Sequence, residues 1–154
     1  MPPRTSAGIL LFRTRDGGIE VLLAHPGGPF FTNRDVGHWT IPKGEADGDE
    51  PLVAVARREF EEETGHPPPD GESIDLGSIV QKGGKIVHAW GLEGELDPAN
   101  AESNTFEMIW PPGSGRVRTF PEIDRVEWFD VEEAKRRVKP TQIPLIDRLV
   151  EALR

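Results

Sequence analysis

Residues 51–65 read PLVAVARREFEEETG, and the HPPPDG that follows bars any helix from continuing. Asp47, Asp49 and Glu50 precede Pro51, and both carboxylates and a missing N–H suit a helix start. The spacing therefore predicts one helix over this segment. At about 100° per residue, Leu52, Val55, Ala56 and Phe60 share an apolar stripe, and Glu59 and Glu63 continue it. Glu62 falls on the edge of the stripe, and Glu61 points away from it. An acidic run is ordinarily a solvated face, and of these residues only Glu61 fits that description.

Carboxylates directed at a core lose hydration and repel one another, so they must be protonated, paired with cations or bound to metal. Arg58 reaches Glu62 at i,i+4 spacing, but one arginine cannot neutralise three acids. Oxygen donors without histidine or cysteine favour magnesium or manganese over zinc, and magnesium completes its shell with water and substrate phosphates. The preceding loop, PKGEADG, can add a backbone carbonyl and lets a polyanion approach the main chain beside Lys43.

Composition agrees with such a site. A formal net charge of −9 argues against a nonspecific nucleic-acid binder, which needs a basic stripe. The absence of cysteine excludes disulfides, thiolate zinc sites and cysteine nucleophiles, and is compatible with a cytoplasmic location. No GxSxG motif occurs. The apolar run AGILLF, residues 7–12, is too short for a membrane span, so neither anchor nor secretory signal is expected. The 154 residues, free of internal repeats and linkers, predict one domain over 1–154, large enough for a core and an interior site.

Around the helix, SAGILLFR and IEVLLAH read as a hairpin turned at residues 16–18. WTIP reads as a short strand followed by the loop KGEADGDE. SIDLGSIVQ and KIVHAWGLEGEL pair about Lys82-Gly83-Gly84, and TFEMIW and RVEWFD are further strands. Asp130 with Glu133 starts a helix through Val138, and PLIDRLVEALR closes the chain as an amphipathic helix. The order β-β-β-α-β-β-β-β-α-α implies an α/β (α+β) fold, a mixed β-sheet with helices on its faces.

Gly44, five residues, Glu50, seven residues, then Arg58-Glu59-Phe60-Glu61-Glu62-Glu63-Thr64-Gly65 resembles the Nudix box at every fixed position. The preceding WTIPKGE is similar to Nudix hydrolases as well, and His66 departs from the aliphatic residue usual after the final glycine. The resemblance implies an α/β/α sandwich and hydrolysis of a nucleoside diphosphate linked to another group X. It implies metal ligation by Glu59, Glu62 and Glu63 with the carbonyl of Lys43 or Gly44, and orientation of the loop–helix–loop by Arg58 and Glu50. A glutamate from a later loop would take the proton of the attacking water; Glu107 and Glu122 are candidates. Glu122 is favoured because similar proteins often supply one just before the RVEWFD-like strand. The cofactor expected is Mg2+ or Mn2+, and the partner a small nucleotide, with no nucleic acid or membrane. Monomer and homodimer both stay open.

Trp39, Trp90, Phe30 and Phe31 could stack on a base, although each has an ordinary packing role, as have His25, His38 and His88. Lys43, Arg34, Lys82, Lys85, Arg116 and Arg118 could meet a polyphosphate. HWTIPKG is most similar to dinucleoside-polyphosphate hydrolases, but the chain has no tyrosine to serve as their downstream marker. The proline similar to that of ADP-ribose pyrophosphatases is missing between Ser73 and Leu92. A nucleoside tri- or polyphosphate, dinucleoside polyphosphates included, is the substrate expected. Oxidised-nucleotide sanitation and ADP-ribose hydrolysis are the enzymatic alternatives, and a nucleotide-sensing module is the non-enzymatic one. The complete set of box carboxylates favours catalysis.

Overall fold

In the computed structural model, which describes residues 4–154, strand β1 (Thr5–Arg15) turns directly into β2 (Gly18–Pro26). Asp16 and Gly17 carry the turn with φ of 53° and 78°, the paired positive values that suit a two-residue hairpin. The chain then returns between these strands. Thr40 exchanges backbone hydrogen bonds with Ala24, and Ile9 donates to the Pro42 carbonyl, before β3 (Lys43–Glu45) pairs with Ser6, Ala7 and Gly8.

This corrects the expected strand at WTIP. Trp39 and Thr40 make only isolated bridges, Pro42 has no N–H to extend a ladder, and the strand falls on KGE, expected to be loop. Helix α1 (Leu52–Thr64) follows and ends at Gly65 in the left-handed conformation, as its sequence predicts.

Strands β4 (Ile74–Val80) and β5 (Ile86–Glu93) form the second hairpin, and β5 runs parallel to β1. With β8 (Ile123–Asp130) beside β2, the sheet order is β4-β5-β1-β2-β8, with β3 on β1. Every pairing except β1–β5 is antiparallel, so the sheet is mixed.

Alternation along β1 divides the core in two. Ala7, Ile9 and Leu11 pack with Val55, Ala56 and Phe60 of α1, whereas Leu10 and Phe12 pack beneath α2 (Val131–Arg137) and α3 (Ile143–Ala152). This is the expected α/β/α sandwich. At the start of α2, Asp130 accepts the Glu133 N–H as predicted, while the Glu133 carboxylate turns to Arg136 and Arg137.

A fifth strand after α1 went unpredicted. Strand β6 (Thr105–Ile109) pairs with β7 (Val117–Pro121) in a separate two-stranded ribbon. Four of the five β7 residues are exposed, so burial imprints no alternation on RVRTFP.

Candidate active site

The helical phase deduced for α1 holds. Val55, Ala56, Phe60 and Thr64 are buried, Glu59 and Glu63 are half-buried, and Glu61 and Glu62 are exposed. Thr64 joins the buried stripe because its hydroxyl donates to the Phe60 carbonyl at 2.7 Å, which satisfies it inside the core.

Strand β3 lies along the same end of the helix, and Gly44 makes the approach possible: a Cβ there would overlap the carboxyl group of Glu59. The N–H of Lys43 donates to Glu63 Oε1 at 3.3 Å. A cleft of about 470 Å³ between them is lined by Lys43, Gly44, Glu45, Glu59, Glu62, Glu63, Asn104 and Glu122. The sequence-expected residues Lys43, Gly44, Glu59, Glu62, Glu63 and Glu122 thus meet in one place. Arg58 stands behind it, donating to Glu50 at 2.8 Å and lying 3.6 Å from Glu59 and 3.8 Å from Glu62. Its strongest partner is therefore Glu50, which fixes the loop against the helix.

Two lining residues were not anticipated. Glu45 belongs to the supposed loop that became β3. Asn104 is placed by the ribbon: its N–H donates to the Glu62 carbonyl at 2.7 Å, and its own carbonyl accepts the Glu122 N–H at 2.9 Å. No local sequence signal joins residue 104 to 62. Glu107, the other candidate base, lies on β6 opposite Thr119 and outside the cleft lining.

Crowding shows in the acid–base behaviour. Burial pushes the Glu63 carboxyl up to about 8, partly offset by the Lys43 N–H and ammonium, with Glu59 and Glu122 adding repulsion. Glu59 is raised by burial and then by Glu62. The Lys43 ammonium is lowered, first by burial and then by Lys139, against the pull of Glu63.

Among the described residues, no three carboxylates or imidazoles close on a point tightly enough to cage an ion alone. The donor set nonetheless suits a hard divalent cation. It consists of oxygens from Glu59, Glu62 and Glu63, with a main chain brought against them by a residue lacking a side chain. An ion that completes its shell with water and phosphate oxygens does not require a closed protein cage.

His25, His38, His88, Trp39 and Trp90 each have a partner within the protein. Buried His25 is held at 2.8 Å from Asp124 and 2.5 Å from the Arg34 carbonyl. His88 lies between Asp75 and Ser78 and stacks on Trp90, and His38 contacts the Val36 carbonyl. Trp39 is wholly buried, its N–H on Asp35. Phe30, by contrast, is exposed and meets Trp110 edge-on. His66 Nε2 lies 2.8 Å from the Asn100 carbonyl, so the residue that departs from the pattern after Gly65 hydrogen-bonds to the loop before β6.

The family model described as NUDIX domain matches residues 2–149. An octanoyltransferase of Myxococcus xanthus is 31% identical over 137 residues, covering 89% of this chain; the chain spans 34% of that protein's length. Among solved structures, a C. elegans Ap4A hydrolase in a binary complex superposes with a TM-score of 0.68 at 22% identity, covering 96% of this chain and 97% of that one. The NUDIX domain of Shewanella oneidensis NrtR, complexed with ADP ribose, gives 0.65 at 18% identity, covering 100% and 90%.

Proposed function

The chain belongs to the Nudix family, and from that premise we propose that it is a pyrophosphohydrolase that cleaves nucleoside tri- or polyphosphates, dinucleoside polyphosphates included, with magnesium or manganese. The observation that carries this reading is the meeting of Glu59, Glu62, Glu63 and Glu122 with Lys43 and the Gly44 backbone in a single polar cleft.

Glu59, Glu62 and Glu63 and the Gly44 carbonyl would hold the divalent cation, whose charge, when bound, offsets that of the phosphate oxygens and the leaving group. The Lys43 ammonium binds a phosphate, and its N–H keeps Glu63 turned toward the cleft. Arg58, braced by Glu50, lies within ion-pair distance of both Glu59 and Glu62 and orients them toward the cleft. Glu122, on the far wall, accepts the proton of the water that attacks phosphorus. Attack breaks one phosphoanhydride bond and leaves two phosphorylated products.

A substrate panel with magnesium or manganese, read by product identification, tests the proposal. Nucleoside tri- and polyphosphates are expected to be cleaved, with activity lost in excess chelator. Preference for ADP-ribose or for an oxidised nucleotide would replace the substrate assignment. Tight nucleotide binding without turnover would make the domain a sensor.

A further inference from the structure

Just after Glu122 the pairing of β8 with β2 is irregular. His25 pairs with Arg125 and Pro26 with Ile123, so Asp124 is an extra residue on β8, a β-bulge at the end of β2. Its effect on alternation is visible in the core. Val126 and Ile123, three positions apart, both pack on the α1 side, where strict alternation would have sent Asp124. The bulge thus reverses the phase of the residues before it, Glu122 included.

An extra residue has no partner in the ladder, so its side chain must fix its place. One buried histidine does so here. His25 Nδ1 lies 2.8 Å from Asp124 Oδ1, and its Nε2 lies 2.5 Å from the Arg34 carbonyl in the loop after β2. Acceptors face both nitrogens, and a ring with a proton on each donates to both, its charge balanced by the Asp124 carboxylate. Around it, Trp39 meets the imidazole edge-on with ring centres 5.2 Å apart, and the Arg125 guanidinium lies 5.1 Å over that indole. Asp35 is taken up by Trp39 and Arg137. The same two strands are tied again beside the cleft: the Gly27 N–H donates to the Glu122 carbonyl at 2.9 Å, and a Cβ on Gly27 would collide with the Pro121 carbonyl. The main chain of Glu122 is held by these bonds, while its phase depends on Asp124.

We propose that His25 is a positioning residue for hydrolysis: by holding the Asp124 bulge, it sets the direction in which Glu122 enters the cleft. This rests on the reading of Glu122 as the base that takes the water proton. His25 is outside the cleft lining and acts only through Glu122.

Steady-state kinetics of His25→Phe and Asp124→Ala, each made in the wild type and in Glu122→Gln, separate positioning from general support of the fold. In the wild-type background both should lower kcat at least about tenfold with KM within about twofold, as a displaced base would. In Glu122→Gln, where no base is left to aim, neither should lower kcat further by more than about twofold. Melting curves verify folding, and because the Asp124 side chain is partly exposed, Asp124→Ala carries the test should the buried His25→Phe not fold. His88→Phe removes a comparable contact, with Asp75 at 2.6 Å, outside the cleft lining, and should leave kcat within about twofold. A folded Asp124→Ala with wild-type kcat, or equal losses in both backgrounds, would overturn the proposal alone. A Glu122→Gln enzyme as fast as wild type would sink the assignment of the base and the positioning role with it. A wild type inactive on every nucleotide would sink the hydrolytic reading on which both stand.

Discussion

Gly44 and Glu59 share a space that only a hydrogen at position 44 leaves open: a Cβ there would overlap the carboxyl group of Glu59. The overlap falls on the far end of a flexible side chain, so Gly44→Ala should fold with a melting temperature within about 3 °C of wild type. Glu59 must swing away, however, and turnover should fall about a hundredfold from its misplacement. Thermal melts beside steady-state rates check this; an active Gly44→Ala enzyme would show that the close approach has no catalytic purpose.

Glu61 and Glu62 are both exposed neighbours on α1, yet only Glu62 lines the cleft. Glu62→Gln is expected to reduce kcat by about 10²–10³ through loss of an electrostatic contact to the metal. Glu61→Gln should stay within about twofold, since nothing in the cleft faces it. Equal losses in rate assays would overturn the proposed ligand set.

The raised Glu63 carboxyl makes stability depend on pH. Its ordinary value is 4.5 and its folded value about 8, so between them the folded state holds a proton that the unfolded chain releases. The stabilisation is complete below about pH 4.5 and is lost as pH rises through about 8, at up to roughly 1.4 kcal/mol per pH unit for this one group. Metal-free protein should show this slope in chemical denaturation. Magnesium should flatten it by favouring the ionised carboxylate, and should raise the melting temperature. Glu63→Leu should lose the slope, abolish turnover and stabilise the metal-free protein by roughly 1 kcal/mol or more where the leucine packs. A less stable metal-free leucine variant would mean that Glu63 is satisfied where it sits.

Glu122→Gln should lower kcat about 10²–10⁴ and remove the acidic limb of its pH profile, as expected for a lost general base. Glu107→Gln serves as the comparison, because Glu107 sits on the ribbon away from the cleft lining. An unchanged acidic limb in Glu122→Gln would pass the role of base to another carboxylate.

What the sequence made legible was whatever a single element encodes. The phase of α1 follows from 3.6-residue periodicity, which is why the sequence alone separates Glu59 and Glu63 from Glu61. The limits of β3 could not be read, because Trp39, Thr40 and Pro42 cross from β2 to β1 and their pairing depends on where those strands diverge. Asn104 was missed for a related reason: it is brought to its position by a partner distant in the chain, Glu62, through backbone groups that every residue possesses. Glu122 was found by resemblance, and no periodicity would have singled it out.

The chain leaves the cleft at Asn104 and comes back at Glu122, and these two residues are tied to each other and to the Glu62 carbonyl by backbone hydrogen bonds. Everything in residues 105–121 is therefore a detour whose two ends are already fastened. Such an excursion can lengthen, shrink or be exchanged at its tip while Asn104 and Glu122 keep their backbone ties to each other and to Glu62. The architecture thus provides a graft point beside its reactive centre, where new recognition surfaces could be tried in evolution, or in the laboratory, while the chemistry stays untouched.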